Sequence, residues 1–178
     1  MDPCGELEAL MAGYQNGDGA AAAALIERLS PPLYRFFLAQ AGSRRYADDL
    51  LQETWMRIHQ VRHTYRQGEP VLPWFYAIAR HIGVDHYRRL RRLETREQQV
   101  EELPEPRASA RPAGASPDLQ AALQQLPQSQ REVLVMLKVT GMSLEEVARA
   151  TASSVGSVKQ KAHRAYEKLR ALLGGGEE

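Results

Sequence analysis

The chain has 178 residues, of which 43 % are hydrophobic and 25 % are charged, and its formal net charge is +1. No apolar run reaches the roughly 18 residues that a bilayer span requires, and the acidic start lacks the layout of a signal peptide. We therefore expect a cytoplasmic protein without membrane insertion of its own. The single cysteine, Cys4, excludes an internal disulfide and a CxxC metal knuckle.

Apolar residues recur at intervals of three and four along most of the chain, and strand-like alternation is rare, so the sequence predicts an all-α fold. Asp18 is an expected helix N-cap. Pro31 and Pro32 are expected to begin a new helix, and Gly42 is expected to end that helix. The predicted helices span residues 5–15, 18–29, 32–41, 46–62 and 73–93, and then 118–125, 128–140, 143–150 and 154–172.

The predicted helix from Tyr46 has an apolar side, with Leu50, Thr54 and Ile58 among its members, and an opposite side that is acidic. A methionine among exposed charges favours a protein contact, because its flexible thioether adapts to a partner surface. We refer to the four residues on this opposite side as the acidic face: Asp49, Gln52, Glu53 and Met56.

Residues 63–72 are predicted to form a loop, and Pro73 to begin the next helix. Aromatic and arginine side chains alternate at helical spacing on its predicted outward side, a pattern suited to unpaired bases and their phosphates. Residues 61–96 carry eight basic and three acidic side chains, which strengthens the expectation of nucleic-acid binding. The outward stripe comprises Tyr76, Arg80, Tyr87 and Arg91, with Arg88, Arg89 and Arg92 beside it.

A proline-rich segment divides the chain. Residues 101–117 contain four prolines and few large apolar side chains, so this segment cannot form a packed core and is predicted to be a flexible linker. Residues 97–118 carry two basic and five acidic side chains, which separates the basic stretch before them from the basic stretch at the C-terminus. The predicted organisation is therefore a helical domain at 1–97, a linker at 98–117 and a second helical domain at 118–178.

The second domain has the pattern of a helix-turn-helix. Ser143 and Glu146 form a capping box at the start of a short helix, and a longer amphipathic helix follows after the turn at Ala152 and Ser153. Its apolar stripe, which runs from Val155 to Leu169 and includes Tyr166, is predicted to face the core. Its opposite side offers hydrogen-bonding groups for base edges and cations for phosphates. This recognition face comprises Ser157, Lys159, Gln160, Lys161, His163 and Arg164.

From about Asp18 to Leu173, the sequence resembles the extracytoplasmic-function (ECF) sigma factors of bacterial RNA polymerase. The matching segments are NGDGAAAAALIERLSPPLYRFF, ADDLLQETWMRIHQ and LPWFYAIARHIGVDHYRRLRR, and then LPQSQREVLVMLKVTGMSLEEVA with SVGSVKQKAHRAYEKL. They are similar to the family's opening, its polymerase-binding helix, its minus-ten segment and its minus-thirty-five module. Four such segments in the family's order make the resemblance specific. His81 departs from the asparagine often found in the family, and its role stays open.

The resemblance implies a sigma factor, not an enzyme, without a cofactor and without a metal site. It implies that the acidic face binds the clamp helices of the largest polymerase subunit, and that the loop Arg62–Leu72 captures a base flipped from the melted non-template strand. It also implies that the recognition face reads duplex promoter DNA, that the linker threads near the RNA exit path, and that an anti-sigma protein holds the chain inactive. The residues expected to bind the minus-ten element are Arg62, His63, Tyr65, Arg66, Tyr76, Arg80, Tyr87, Arg88 and Arg91.

Three other classes of protein remain as alternatives at this stage. A conventional helix-turn-helix regulator would bind its operator as a dimer, without polymerase. A metal enzyme is suggested by His59 and His63, although no third ligand stands at a useful spacing. A structural adaptor without a DNA role would leave the outward Gln160 and Arg164 unexplained.

Overall fold

The computed structural model describes residues 3–97 and 117–174. These two ranges form helices, turns and loops without a strand, as the all-α prediction requires, and none of their helices has the length and apolar character needed to cross a membrane. The predicted linker 98–117 lies outside the described residues, except for Pro117. The elements are α1 (Pro3–Gln15), α2 (Gly19–Ala41), α3 (Arg44–Val61), a 3₁₀ turn (Arg62–Thr64), α4 (Val71–Glu97), α5 (Pro117–Gln124), α6 (Gln128–Lys138), α7 (Leu144–Ala150) and α8 (Val155–Gly174).

The predicted helix caps are confirmed. Asp18 Oδ1 accepts hydrogen bonds from the backbone N–H groups of Ala20 and Ala21, at 2.8 and 3.2 Å. Gly42 ends α2 in the left-handed conformation with φ +66°. Ser143 and Glu146 form the complete capping box at the start of α7, with each side chain accepting from the other residue's backbone N–H. Local sequence therefore determines where these helices begin and end.

The predicted break at Pro31 and Pro32 is wrong, because α2 continues through both prolines. A proline inside a helix removes the hydrogen bond to the carbonyl four residues earlier. Here the two affected carbonyls belong to the exposed residues Glu27 and Arg28, which water can reach. Apolar side chains on both sides of the prolines are buried, so packing holds the two halves of the helix in line. They include Leu25, Leu29, Leu33, Phe36 and Phe37.

Helices α1 to α4 pack around one apolar core, and helices α5 to α8 pack together and against them. Helix α4 contacts α7, and α2 contacts α5 and α6. One buried cluster continues across this junction, with Phe36 and Tyr76 from the first half and Met136 and Val147 from the second. The described parts of the two predicted domains therefore share a core.

Polar side chains of the second half also cover the C-terminal end of α2. Gln124 Nε2 donates to the carbonyl of Ala39, and Arg131 Nη1 donates to the carbonyl of Gln40, both at 2.8 Å. The guanidinium of Arg131, which is buried, also donates to the carbonyls of Gln124 and Leu126. Carbonyls at a helix end lack intrahelical donors, so these contacts satisfy groups that would otherwise be unpaired.

Candidate functional site

The acidic face is exposed, as predicted. Asp49, Gln52 and Glu53 are exposed on α3, and Met56 is 62 % exposed beside them. The apolar side of α3 faces the core through Leu50, Thr54 and Ile58, all of which are buried. An exposed methionine among acidic side chains is a surface suited to a protein partner.

The acidic face borders the basic run of α4. Glu53 Oε1 lies 3.7 Å from Arg89 Nη2, an exposed pair of opposite charges that is weak in solvent. Beneath it, the half-buried ring of His86 packs edge-on against Tyr46, with 4.9 Å between ring centroids. Burial, helped by the positive charge of Arg89, lowers the pKa of His86, so this imidazole favours its neutral form next to the acidic face.

The loop after α3 frames an open cleft of about 330 Å³. Its walls include Thr64, Arg66 and Glu69 from the loop, Trp74 from α4 and Arg149 from α7. This volume is at the lower end of the roughly 300–1,000 Å³ of small-molecule pockets. The cleft therefore combines an aromatic ring, cations and hydrogen-bonding groups at the place where the sequence predicts a loop that captures a base.

Several side chains of the predicted minus-ten set are exposed, two on the loop and three on α4. His63 and Arg66 are exposed on the loop, whereas Arg62 is half-buried with its guanidinium 5.7 Å from the centroid of the Tyr14 ring. On α4, Tyr87 is 44 % exposed, and the guanidinium of Arg91 lies 5.5 Å from the centroid of its ring. Arg88 is also exposed, with Asp85 at 3.9 Å.

Two tyrosines of the predicted minus-ten set are buried, so the predicted outward orientation of Tyr76 is wrong and Tyr65 has almost no exposed surface. Tyr76 is fully buried, and its ring packs edge-on against Phe36 at 5.4 Å between centroids. Tyr65 is 4 % exposed, its ring packs against Trp74, and its hydroxyl donates to the carbonyl of Glu69. Helical periodicity assigns one outward side to α4, but α4 is packed on more than one side and position 76 lies inside the structure.

Arg80, a third member of the set, is half-buried, with 35 % of its side chain exposed, and it contacts the second half of the molecule. Its Nε donates to Glu132 Oε1 of α6 at 2.8 Å, and Glu132 is itself buried. Burial raises the pKa of Glu132, although the neighbouring Arg80 opposes that shift. A second pair across the same junction joins Arg149 of α7 to Glu69 of the loop at 3.1 Å, and both side chains are exposed.

The recognition face is well exposed along α8. Lys159, Gln160, His163 and Arg164 are exposed, whereas Ser157 and Lys161 are half-buried. His163 Nε2 lies 3.3 Å from Glu167 Oε1 on the next turn. The inward side of the helix is buried at Val158, Ala162, Ala165 and Leu169. Tyr166, predicted to face inward, is instead 40 % exposed, with Lys138 Nζ 5.7 Å from the centroid of its ring.

The turn between α7 and α8 contains Ala152 in the left-handed region, with φ +48°. This conformation is costly for a residue with a Cβ atom. Nearby, the hydroxyls of Thr151 and Ser153 are hydrogen-bonded at 2.7 Å, and Ser154 Oγ accepts from the N–H of Ser157 at the start of α8. The turn is thus held by hydroxyl hydrogen bonds despite the strained residue.

The metal-site alternative has no geometric support. The Nδ1 atom of His59 is hydrogen-bonded to the hydroxyl of Tyr14 at 2.8 Å. Within residues 3–97 and 117–174, no three His, Cys, Asp or Glu side chains gather in a group that could hold a metal ion.

Comparison with known proteins accounts for both halves of the molecule. The Sigma-70 region 2 family model matches residues 25–93, and the Sigma-70 region 4 model matches residues 117–169. RNA polymerase sigma factor CarQ of Myxococcus xanthus is 34 % identical over 168 residues, which covers 92 % of this chain and 95 % of CarQ. The ECF sigma factor SigF of Caulobacter vibrioides is 33 % identical over 92 % of this chain and 91 % of its own length.

The chain belongs to the ECF sigma factor family. It is an alternative sigma factor that directs promoter-specific initiation of transcription by RNA polymerase. The alternative of a conventional helix-turn-helix regulator does not account for the region 2 match. The overall fold of the sigma factor agrees, since CnrH, solved with the cytosolic domain of CnrY, matches with a TM-score of 0.74 at 24 % identity, over 97 % of this chain and 99 % of CnrH.

RpoE of Bartonella quintana, solved with the anti-sigma factor NepR, has the same fold. It matches with a TM-score of 0.72 at 23 % identity over 87 % of this chain and 98 % of that one. Both regions of the sigma factor are thus present in a known arrangement of helices.

The structure also shows residues that sequence reasoning missed. Arg149 of α7 lines the cleft beside the loop, together with Glu69 and Trp74, which lie in the predicted DNA-binding loop and helix but were not assigned individual roles. Gln15, at the end of α1, contacts the loop through its side-chain amide. Helix α1 precedes the residues matched by the region 2 model, and the contact joins positions 47 and 50 residues apart. No local sequence signal would have identified it.

Proposed function

We propose that the acidic face of α3 binds the clamp helices of the largest subunit of RNA polymerase. The observation that carries this proposal is the outward exposure of Asp49, Gln52, Glu53 and Met56 on a helix whose other side is buried. The same segment is similar to the polymerase-binding helix of the family. Because polymerase and promoters are cytoplasmic, the proposed location of the sigma factor is the cytoplasm.

The proposed minus-ten contacts are the exposed residues of the loop and of α4. His63 and Arg66 lie at the loop, and Tyr87, Arg88 and Arg91 lie along the outer part of α4. Arginines hold phosphates, and an exposed aromatic ring stacks on unpaired bases, so this set suits melted strand. Arg62 is half-buried next to this set and joins it in the proposal.

Arg80 differs from these residues because its side chain is already paired within the protein. It is bound to Glu132, so a contact between Arg80 and a phosphate requires that pair to separate. Tyr65 and Tyr76 are not part of the proposed contact set, because both are buried. Their rings instead support the loop and the helix that carry the exposed residues.

The recognition face of α8 is the proposed reader of the minus-thirty-five duplex. The exposed Gln160 and Arg164 have side chains that form paired hydrogen bonds with base edges, and Lys159 and His163 lie beside them for phosphates. Ser157 and Lys161, both half-buried, complete the proposed set.

An anti-sigma protein is the proposed regulator. RpoE, which has a related fold, was solved with the anti-sigma factor NepR. An anti-sigma protein bound over the acidic face and the recognition face would prevent binding to polymerase and to DNA. The proposed linker, 98–117, joins the two regions and runs near the RNA exit path.

The replacement Asp49→Arg tests the polymerase-binding proposal. Reversal of charge at the first residue of the acidic face is expected to weaken binding to core polymerase about 100-fold, since like charges across an interface cost several kcal/mol. Asp48→Arg is the matched control, because Asp48 is also exposed but lies about 100° around the helix. Fluorescence titration with core enzyme measures both affinities, and circular dichroism verifies the folds. Core affinity of the wild type in Asp49→Arg would contradict the assigned face.

A further inference from the structure

The last residue of α1, Gln15, lies against the loop that follows α3. Its Nε2 donates to the backbone carbonyls of Arg62 and Tyr65, at 2.7 and 2.8 Å. Its Oε1 accepts from Gln67 Nε2 at 3.1 Å. A side-chain amide has two N–H donors and one oxygen acceptor, and here each of these is engaged by the loop. One side chain thus joins three points of the loop to α1.

The neighbouring residue of α1 contacts the same region. The hydroxyl of Tyr14 is hydrogen-bonded to His59 Nδ1 on the last turn of α3, at 2.8 Å. The guanidinium of Arg62 lies 5.7 Å from the centroid of the Tyr14 ring. The last turn of α1 therefore contacts both the start and the middle of the loop.

One other side chain from a separate helix is hydrogen-bonded to the loop: Arg149 Nη1 of α7 donates to the exposed carboxylate of Glu69 at 3.1 Å. Two further hydrogen bonds are local. Thr64 Oγ1 donates to the carbonyl of Val61, and the hydroxyl of Tyr65 donates to the carbonyl of Glu69. Such bonds define the shape of the loop without fixing its location relative to the helices. Gln15 bonds to the backbone of the loop from a separate helix, whereas Arg149 contacts only the exposed side chain of Glu69 further along the loop. Gln15 therefore holds the segment from Arg62 to Gln67 directly. A recognition site must be held to within about 0.5 Å to discriminate, so the supporting contacts matter as much as the contacting residues.

We infer that Gln15 is a positioning residue for minus-ten recognition, acting through the backbone of the loop without touching DNA itself. This inference rests on the proposed function of the loop, whose exposed residues His63 and Arg66 lie on either side of Tyr65. Residues 25–93 carry the match to region 2, so Gln15 adds to the site from a helix outside that match.

The test compares Gln15→Met and Gln15→Glu with the wild type. Methionine keeps the length of the side chain without its polar atoms, and glutamate keeps the acceptor for Gln67 but removes the donors to the two carbonyls. Gln60→Met is the matched control, since Gln60 is an exposed glutamine on α3. Each protein is assembled with core polymerase and assayed on promoters with each of the four bases at every minus-ten position.

Both Gln15 variants are expected to lose about tenfold in discrimination between the preferred minus-ten base and the others, a loss typical of removing hydrogen bonds from partly buried carbonyls. Core affinity and minus-thirty-five preference are expected to stay at the wild-type values. Hydrogen exchange of the amides from Arg62 to Gln67 is expected to become faster, whereas Gln60→Met leaves it unchanged. A merely structural role would instead lower core affinity and both promoter preferences together.

Wild-type discrimination and wild-type exchange in a folded Gln15 variant would overturn the inference. Arg66→Ala separates this result from failure of the proposed function. If Arg66→Ala reduces discrimination and the Gln15 variants do not, only the inference about Gln15 is wrong. If neither changes it, the loop does not read the minus-ten element. Should one Gln15 variant fail to fold, the other gives the same comparison.

Discussion

Helices α8 and α4, which carry the two proposed DNA-binding surfaces, differ in how they are packed. Helix α8 is buried along one side by α5, α6 and α7, and its recognition face is exposed. Helix α4 packs against α1, α2 and α3 in its own half and against α7 in the other. The proposed duplex-reading surface is therefore open in this arrangement, whereas part of the proposed strand-binding surface lies at the junction between the two regions.

The consequence of this difference is clearest in two arginines. Arg164 on α8 is exposed, whereas Arg80 on α4 is held by the buried carboxylate of Glu132. The sequence predicts both arginines to contact DNA, because each lies on the expected outward side of an amphipathic helix. Exposure of a cation depends on the helices that pack beside it. The proposed contact of Arg164 with DNA therefore needs no rearrangement, whereas the contact first predicted for Arg80 requires its pair with Glu132 to separate.

The largest expected effect comes from the open surface. Gln160→Ala combined with Arg164→Ala is expected to reduce preference for the native minus-thirty-five element about 100-fold, since each paired contact with a base is worth roughly 1–3 kcal/mol. Arg170→Ala, an exposed cation further along α8, is the control. Transcription from matched and mutated promoters measures the preference. Unchanged preference in the double variant would show that neither residue reads the minus-thirty-five element. The comparison of α8 with α4 as two DNA-binding surfaces would then fail.

The second largest expected effect concerns Arg80, where α4 meets the second half of the molecule. Arg80→Ala leaves Glu132 buried without its donor, so the free energy of unfolding at pH 8 is expected to fall by about 2 kcal/mol. Burial already raises the pKa of Glu132, and loss of Arg80 raises it further, so the carboxyl takes up a proton as the pH falls towards 5. The loss in free energy of unfolding caused by Arg80→Ala should therefore be smaller at low pH, where the folded variant binds the extra proton.

Arg88→Ala is the control for this prediction, since Arg88 is exposed on the same helix. Its effect on unfolding is expected to stay within about 0.5 kcal/mol at both pH values. Urea unfolding at pH 8 and pH 5 makes the comparison. Equal deficits for Arg80→Ala at the two pH values would contradict the role assigned to the Glu132 carboxylate.

The smallest effect concerns the turn that orients α8. Ala152→Gly relieves a left-handed residue, a change worth about 1 kcal/mol, but glycine also gains freedom in the unfolded chain. The expected net gain in stability is about 0.5 kcal/mol, measured by urea unfolding. Ala23→Gly on the exposed side of α2 should instead lose about 1 kcal/mol. A loss in Ala152→Gly would show that the left-handed turn is not strained.

Local sequence was sufficient for much of the fold and of the exposed surfaces. Asp18, Gly42 and the Ser143–Glu146 pair act through neighbours a few residues away, so their patterns identify helix ends directly. The recognition face was also predictable, because α8 is packed on one side and a period of 3.6 residues then separates buried from exposed positions.

The errors arose where distant parts of the chain meet. Tyr76 is buried against Phe36, 40 positions earlier in the sequence, and Arg80 is bound to Glu132 of the second half. Pro31 and Pro32 stay inside α2 because the flanking residues are anchored in the core. The contact of Gln15 with the loop likewise depends on how α1 packs against α2, α4 and the 3₁₀ turn. Periodicity and turn residues carry no information about such contacts.

The most direct test of promoter selection is run-off transcription with purified core polymerase and a promoter library. We expect the wild-type sigma factor to associate with core enzyme and to start transcripts only on templates that carry one particular minus-ten and minus-thirty-five pair. Asp49→Arg is expected to lower the yield of these transcripts in line with its roughly 100-fold weaker binding to core enzyme. A folded wild-type protein, purified without any inhibitor, that neither binds core enzyme nor selects among the templates would contradict these expectations.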